Sequence, residues 1–207
     1  MPEFPDRPFP QRIRGLLHYP GWLSSDEQRA LAEDVRQIAA RAPLFSPITP
    51  SGKAMSVRMT SAGRFGWTAD RQGYRYAPTH PSGLPWPAIP ESILAIWRAV
   101  VPEARAPESC LVNFYGPEAR MGLHQDRDER DLSQPVVSIS LGDDALFRIG
   151  SETRGGPSQS LWLRSGDVLV MGGEARLLHH GIDRIAPGSS MLLRGPGRIN
   201  LTLRVVS

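Results

Sequence analysis

The chain has 207 residues, of which 40% are hydrophobic and 22% are charged, and this length and composition are typical of one globular domain. No apolar run approaches the roughly 20 residues that a membrane span needs, and the single cysteine, Cys110, excludes an internal disulfide and a multi-cysteine zinc site. The formal net charge of +3 does not decide whether the arginine-rich composition reflects a phosphate-binding surface or codon bias. Residues 1–12 are polar and Pro-rich, lack an apolar signal core, and predict a loose N-terminal arm. We expect a soluble cytoplasmic monomer without membrane contact.

Two helices are predicted in the first half of the chain. Residues 24–43, "SSDEQRALAEDVRQIAARAP", predict a helix that Ser25 caps, with Gln28 as its capping-box partner and Pro43 as its end. The apolar face of this helix consists of Leu31, Val35, Ile38 and Ala39. Residues 90–102, "PESILAIWRAVVP", predict a second helix between two prolines. Its apolar stripe consists of Ile93, Ile96, Trp97 and Val100.

From about residue 109 the hydrophobic period changes to two, which indicates strands. The short runs are "CLVNFYG", "PVVSISLG", "ALFRIG", "SLWLRSGDVLVMGG" and "RINLTLRVV", and glycine, proline and aspartate separate them. Several short strands with turn signals favour a sandwich, a barrel or a jelly roll. Because the helices precede the strands, we expect an α+β protein that is mainly β, with the helices packed outside an antiparallel core.

The stretch "GLHQDR" places a histidine two residues before an aspartate. If it is extended, His124 and Asp126 project to the same side, because alternate residues of a strand share a face. His179 or His180 in "LLHHGI" could supply a third ligand, and spacing alone does not choose between them. Two histidines and one carboxylate form the facial triad of non-haem iron(II) oxygenases, although a zinc hydrolase can use the same set. A solvated loop is the alternative interpretation of the pair.

The last predicted strand, "GRINLTLRVV", carries polar residues on one face and apolar residues on the other. The polar face consists of Arg198, Asn200, Thr202 and Arg204. If the apolar face packs on helices, two arginines point into the core, where they need an anion such as the dicarboxylate 2-oxoglutarate. In "CLVNFYG", Asn113 and Tyr115 likewise share a face. The alternative for both strands is an ordinary face exposed to water.

These residues resemble the AlkB family of iron(II)- and 2-oxoglutarate-dependent dioxygenases, and the likeness is strongest to the bacterial members that repair alkylated DNA. The matching stretches, which span about residues 43 to 205, include "MSVRMT", "GWTADRQGYRY", "CLVNFYGPEARMGLHQDRDE", "GDVLVMGGEARLLHHGI" and "RINLTLR". The resemblance implies a single domain: a double-stranded β-helix, or jelly-roll, catalytic core over about residues 109–207. Helices and a nucleotide-recognition lid then occupy about residues 13–108.

The resemblance also implies a role for individual residues. The iron ligands would be His124, Asp126 and His180, whereas His179 stands where the family commonly has an aromatic residue. The residues that hold 2-oxoglutarate would be Asn113, Tyr115, Arg198, Asn200 and Arg204. We expect Arg204 to clamp the far carboxylate of 2-oxoglutarate and Arg198 to lie near the carboxylate on the iron side.

The segment from Met55 to Tyr76 interleaves aromatic residues with arginines, which suits stacked bases and phosphates, although core aromatics with solvated arginines are the alternative. The substrate residues implied by the resemblance are Met59, Trp67, Tyr74, Asp128 and Arg154. Among them Trp67 would stack on the base, Tyr74 would contact the phosphate side, and Asp128 would lie near the exocyclic amine.

The expected reaction is oxidative demethylation of bases such as 1-methyladenine and 3-methylcytosine. 2-Oxoglutarate and O2 would yield succinate and CO2, and the methyl group would leave as formaldehyde. The partner would be alkylated DNA, single-stranded or with a flipped base; the preference between DNA and RNA stays open. The alternatives are a hydroxylase of a protein or small molecule and a non-catalytic nucleic-acid-binding module.

Overall fold

The computed structural model of the protein describes residues 7–207. Within them the helices are α1 (Ser25–Arg41) and α2 (Glu91–Val100), and a short 3-10 helix spans Gly173–Ala175. The strands are β1 (Gln11–Ile13), β2 (Leu16–Tyr19), β3 (Arg58–Gly63), β4 (Gly66–Asp70), β5 (Gly73–Ala77), β6 (Ser109–Tyr115), β7 (Met121–His124), β8 (Val136–Gly142), β9 (Asp144–Ile149), β10 (Gln159–Leu163), β11 (Val168–Met171), β12 (His180–Ala186) and β13 (Arg198–Arg204). No helix in this part of the chain is both long and apolar enough to cross a bilayer.

The strands form two main antiparallel sheets and a separate hairpin. The major sheet has seven strands in the order β1-β2-β11-β8-β13-β6-β3, and the minor sheet has four in the order β10-β9-β12-β7. Strands β4 and β5 pair only with each other, and their hairpin is called the lid hairpin below because it lies within the lid region that the resemblance implies. The prediction of a mainly β jelly-roll fold with two helices is therefore confirmed.

The alternation of β13 divides the core into two apolar layers. Ile199, Leu201 and Leu203 lie in the cluster that includes the apolar faces of α1 and α2. Residues of the opposite parity, from Arg198 to Arg204, face the space between the two sheets. The predicted parity of the last strand is thus confirmed, and it places two cations inside the protein.

Both helices form as predicted, but the cap of α1 differs by one residue. Ser24, not Ser25, is the N-cap: its hydroxyl accepts from the Glu27 N–H, and the Glu27 carboxylate accepts from the Ser24 N–H at 2.8 Å. Gln28 instead donates to the Leu23 carbonyl and accepts from the Ser165 hydroxyl. The charged Glu27 is the better capping partner at the positive end of the helix dipole, and this leaves Gln28 for tertiary contacts.

The major sheet takes strands from well before residue 109. Strand β2 pairs with β11, and β3 pairs with β6. Of the predicted arm, residues 1–6 lie outside the described part of the chain, while Gln11 and Arg12 belong to β1. A strand of three or four residues has too few alternating apolar and polar positions to be recognised from the sequence alone. Such strands become evident only from their pairing with the rest of the sheet.

Asp167 joins β2 of the major sheet to the turn before β11. Its carboxylate accepts from His18 Nε2 at 2.9 Å, from the Gly21 N–H at 2.7 Å and from the Arg164 N–H at 2.9 Å. Burial by itself raises the pKa of Asp167, but these hydrogen bonds outweigh it and lower the pKa below its ordinary value.

We expect Asp167→Asn to lose about 1–3 kcal/mol of stability at neutral pH, because buried donors lose their charged acceptor. The pKa of Asp167 is lower in the folded protein than in the unfolded chain, where it is near 4, so the ionised carboxylate stabilises the fold above about pH 4. The difference in unfolding free energy between Asp167→Asn and wild type should therefore shrink as the pH falls below about 4. Urea unfolding across this pH range measures it. Asp183→Asn, in an exposed ion pair with Arg148, is the control and should change stability by less than about 1 kcal/mol. A constant difference down to acid pH would contradict the role given to the Asp167 charge.

Candidate metal centre and substrate cleft

A cleft of about 630 Å³ lies between the two sheets and opens beside the lid hairpin. Every predicted site residue lines it: Met59, Trp67, Tyr74, Asn113, Tyr115, His124, Asp126, Asp128, Arg154, His180, Arg198, Asn200 and Arg204. Residues separated by up to 145 positions in the chain are thus brought together by the pairing of β6, β13, β7 and β12 with their neighbours.

Three of these side chains form a group that can hold a metal ion. One ligand atom from each of His124, Asp126 and His180 lies within 4.8 Å of the others. His124 Nε2 is 3.8 Å from Asp126 Oδ1, and His180 Nε2 is 3.7 Å from Asp126 Oδ2. Strand β7 ends at His124, and β12 begins at His180 directly opposite it in the sheet. Two imidazoles and one carboxylate on one side of a metal leave coordination positions open on the other side.

Backbone carbonyls orient both histidines of this group. His124 Nδ1–H donates to the Gly122 carbonyl at 2.8 Å, and His180 Nδ1–H donates to the Leu178 carbonyl at 3.0 Å. Each Nε2 therefore carries the lone pair and faces Asp126. Burial lowers the pKa of His180 to about 4, so this ring is neutral at physiological pH and available as a ligand.

Asp126 stays ionised although it is buried. Burial opposes its charge, but Arg204 above all holds the pKa of Asp126 well below its usual range. Arg204 Nη2 donates to Asp126 Oδ2 at 2.8 Å. Arg176 also donates to the main-chain carbonyl of Asp126, so the position of this residue is held from both its side chain and its backbone.

The structure separates the two adjacent histidines of "LLHHGI". His180 lies with His124, their ring centroids 4.6 Å apart. His179 is not in the metal-binding group, and its Nδ1–H donates to the Ser151 carbonyl at 2.9 Å. His179 precedes β12 and also lines the cleft, but of the two neighbours only His180 faces the other metal-binding side chains.

Arg198 is a buried cation that forms no ion pair with the described residues. Its side chain is fully buried and donates to the Ser140 hydroxyl at 2.6 Å and to two carbonyls, while its Nε has no hydrogen-bond acceptor. No carboxylate of the described residues lies within 4.0 Å of it. Burial lowers the pKa of Arg198 to about 10. An uncompensated guanidinium is costly to bury, so this site fits an anionic ligand.

Arg204 lies at the metal end of the cleft. Besides its bond to Asp126, its Nε is 3.2 Å from Glu129 Oε1, and its Nη1 has no acceptor. The structure thus places Arg204, and not Arg198, beside the metal-binding group, which is the opposite of the order expected for the two arginines along the cleft. Strand parity puts both on one face, but only the pairing of β13 with β6 and β8 determines which end lies beside Asp126.

Between the two arginines lie the remaining residues predicted to hold 2-oxoglutarate. Asn113 Nδ2 donates to Asn200 Oδ1 at 3.5 Å, and Asn113 Oδ1 has no donor. Asn200 Nδ2 donates to the Ser138 hydroxyl at 2.7 Å. Burial raises the pKa of Tyr115 to about 12, so its hydroxyl remains a neutral donor. The unpartnered buried atoms of Asn113, Arg198 and Arg204 fit a polar, anionic co-substrate.

The lid hairpin presents a pair of aromatic rings at the mouth of the cleft. Trp67 and Tyr74 stack with centroids 5.5 Å apart and planes 16° apart, and Tyr74 is half exposed. Trp67 Nε1–H donates to Asp128 Oδ2 at 2.9 Å, which connects the hairpin to the loop after the metal ligands. Met59 is buried in β3 opposite Asn113. Arg154 is exposed in the loop between β9 and β10.

One part of the site was missed in the sequence. Glu129 is buried and accepts from Tyr76 and from Arg176 Nη2, besides its ion pair with Arg204. It thereby links the lid hairpin to the metal end of the cleft. It lies in the charge-dense run "DRDER", where nothing distinguishes one buried carboxylate from its solvated neighbours.

Comparison with known proteins agrees with this geometry. The model of the 2OG-Fe(II) oxygenase superfamily matches residues 15–204. The chain is 54% identical over 193 residues to an alpha-ketoglutarate-dependent dioxygenase AlkB homolog of Caulobacter vibrioides, covering 93% of this chain and 88% of the relative. The chain belongs to the AlkB family.

Two further likenesses support this. The alpha-ketoglutarate-dependent dioxygenase AlkB of Escherichia coli is 43% identical over 179 residues, which cover 84% of this chain and 82% of that protein. The structure of OsALKBH1 superposes with a TM-score of 0.80 at 33% identity and covers 94% of this chain and 100% of the other. This AlkB-family protein is therefore an iron(II)- and 2-oxoglutarate-dependent dioxygenase, with iron(II), 2-oxoglutarate and O2 as its cofactors.

Proposed function

We propose that this dioxygenase removes N-linked methyl groups from the bases of alkylated nucleic acid. The observation that carries the proposal is a single cleft in which a His–Asp–His group, two buried arginines with unpartnered nitrogens and a stacked aromatic pair meet. His124, Asp126 and His180 hold iron(II). One chain supplies every one of these groups, which supports a monomer as the active unit.

2-Oxoglutarate would lie along β13, with one carboxylate at each arginine. Arg204, beside Asp126, binds the carboxylate near the metal through its free Nη1, and Arg198 binds the far carboxylate. A planar guanidinium presents paired donors that match a carboxylate. Tyr115 and the Asn113–Asn200 pair complete the site with neutral polar groups.

When bound, iron(II) with 2-oxoglutarate and O2 supplies the oxidation of a C–H bond of the substrate. The protein's own residues orient the reactants. The His124 and His180 rings are held by carbonyls in the tautomer that a metal requires. Apolar side chains of Leu111, Phe147 and Ile182 line the same cleft and give part of its wall a nonpolar surface.

The substrate base would enter the cleft beneath the aromatic rings of the lid hairpin. A base inside a duplex cannot reach a site between two sheets, so the target is single-stranded or flipped out of its stack. Asp128 lies at the Trp67 edge, where its carboxylate attracts a base that methylation has made cationic. DNA is the proposed substrate. RNA that carries the same methylated bases is the comparison that tests whether the enzyme prefers DNA to RNA.

The direct test measures succinate and formaldehyde release with oligonucleotides that contain 1-methyladenine or 3-methylcytosine, beside unmodified oligonucleotides. We expect both products in equal amounts only with the methylated strand. Turnover of 2-oxoglutarate that no oligonucleotide stimulates would favour a protein or small-molecule substrate. Oligonucleotide binding without any turnover of 2-oxoglutarate would favour a non-catalytic binding module.

Trp67→Ala should weaken turnover of the methylated oligonucleotide by about 5- to 150-fold, because stacking on a base contributes about 1 to 3 kcal/mol. Slow 2-oxoglutarate turnover without nucleic acid should persist, since its residues lie on the β core. Trp67 also packs partly against the core between the sheets, so a thermal melt must accompany both assays. Trp162→Ala, which removes a 40% exposed tryptophan of β10 outside the cleft, is the control and should leave turnover unchanged. Parallel losses of melting temperature and both activities would mean that Trp67 is a core residue.

A further inference from the structure

Two residues that neighbour the metal ligands in sequence line the cleft and contact the loop between β9 and β10. This loop, residues 150–158, carries Arg154. His179 precedes His180, and Gln125 stands between His124 and Asp126. Their contacts with the loop give His179 and Gln125 a role that is separate from metal binding.

His179 binds the start of the loop through its backbone and its ring. The Gly150 N–H donates to the His179 carbonyl at 2.7 Å, and the His179 N–H donates to the Ser151 carbonyl at 3.1 Å. The ring Nδ1–H donates to the same Ser151 carbonyl at 2.9 Å. The approach is close, because a Cβ on Gly150 would lie 3.3 Å from the Cβ of His179.

Gln125 binds the next residue of the loop. Its Nε2 donates to the Glu152 carbonyl at 3.1 Å and to the Leu177 carbonyl at 2.6 Å. Gln125 therefore joins the loop both to the segment that carries His124 and Asp126 and to the segment before His180. His179 and Gln125 are independent anchors, because they come from different elements and bind different carbonyls.

Arg154 depends on this loop for its position. Its side chain is exposed, lines the cleft, and forms no hydrogen bond or ion pair within residues 7–207. With no contact of its own to hold it, the guanidinium points into the cleft only as long as the backbone of residues 151–153 stays in place. The loop is compact, since a Cβ on Gly156 would come within 2.1 Å of Ser151 Oγ.

We propose that His179 and Gln125 are positioning residues for the nucleic-acid substrate: they hold the β9–β10 loop so that Arg154 faces the substrate at the rim of the cleft. This inference deepens the proposed function and rests on it. The residues beside the metal ligands thus connect the metal centre to the substrate-binding loop through hydrogen bonds to its backbone carbonyls.

The test compares His179→Leu, which removes the ring donor, with His179→Asn, whose amide nitrogen stands close to the position of Nδ1. His179→Leu should raise the apparent KM for a 1-methyladenine oligonucleotide by about two- to tenfold, the effect of one hydrogen bond. The iron content, the KM for 2-oxoglutarate and turnover without nucleic acid should stay at wild-type values. His179→Asn should restore most of the loss. An unchanged oligonucleotide KM in His179→Leu, or a loss of iron, would overturn the proposal.

A double-mutant cycle tests whether the effect passes through Arg154. Once Arg154→Ala has removed the guanidinium, adding His179→Leu should change the KM little further, because the two act on one contact. Additive effects would exclude this route. Hydrogen–deuterium exchange of residues 151–155 should be about two- to tenfold faster in His179→Leu than in wild type. If the wild-type enzyme turned over no methylated strand, both the proposed function and the substrate role of the loop would be wrong. The exchange rates would still show whether His179 holds the loop in place.

Discussion

His180→Ala should lose bound iron and reduce turnover by well over 100-fold, whereas His179→Ala should keep its iron. Removing a ligand outright must cost more than the 10- to 100-fold that substitution of an orienting neighbour of a ligand typically costs. The structure supports this difference, because His180 Nε2 faces Asp126 while the His179 ring donates to Ser151 in another direction. The measurement is iron content after reconstitution, together with succinate release.

The two variants are matched, since each removes one buried imidazole from adjacent positions of the chain. A general loss of folding would lower the melting temperature of both and would be visible in the metal-free proteins. If His179→Ala lost the metal and His180→Ala retained it, the proposed ligand set would be wrong.

Arg198→Met should raise the apparent KM for 2-oxoglutarate by about 30-fold or more, corresponding to the roughly 2 to 5 kcal/mol lost when one member of a buried charge pair is truncated. Its preference for 2-oxoglutarate over 2-oxopentanoate, which lacks the far carboxylate, should largely disappear. Because Arg198 has no carboxylate in ion-pair contact in the free protein, the substitution should cost that form only about 1–3 kcal/mol, from its hydrogen bonds to Ser140 and two carbonyls. The rise in melting temperature that 2-oxoglutarate gives the wild type should be lost.

Arg204→Met provides the contrast. This change leaves the buried carboxylates of Asp126 and Glu129 without their shared cation, so the free protein should lose about 3–5 kcal/mol of stability. The unfolding free energies of Arg198→Met and Arg204→Met, measured without any ligand, should therefore differ. Equal destabilisation by both substitutions, or an Arg198→Met protein that 2-oxoglutarate still stabilises, would show that Arg198 is a structural cation.

Much of the site could be predicted from the sequence without knowledge of the fold, because strand alternation and helical periodicity act over a few neighbouring residues. Alternation along β13 put Arg198 and Arg204 on the inner face, whatever the neighbouring strands were. The spacing of His124 and Asp126 also predicted that the two ligands lie together, and they do, although Asp126 follows the end of β7. The apolar stripe of α2 followed from helical periodicity alone. Each of these conclusions concerns residues within a few positions of one another, where backbone geometry leaves little choice.

Other features depended on which strands are neighbours, and sequence spacing carries no such information. Opposition of β12 and β7 selected His180 over His179, and the pairing of β13 with β6 and β8 put Arg204 rather than Arg198 beside Asp126. The burial of Glu129 arises from residues of β5, β13 and the segment before β12, which are distant from it in the chain. Periodicity determined the face on which each side chain of this protein lies. Only the packing of the two sheets decided which side chains meet across the cleft, because distances between remote segments are set by strand pairing and close packing rather than by local backbone geometry.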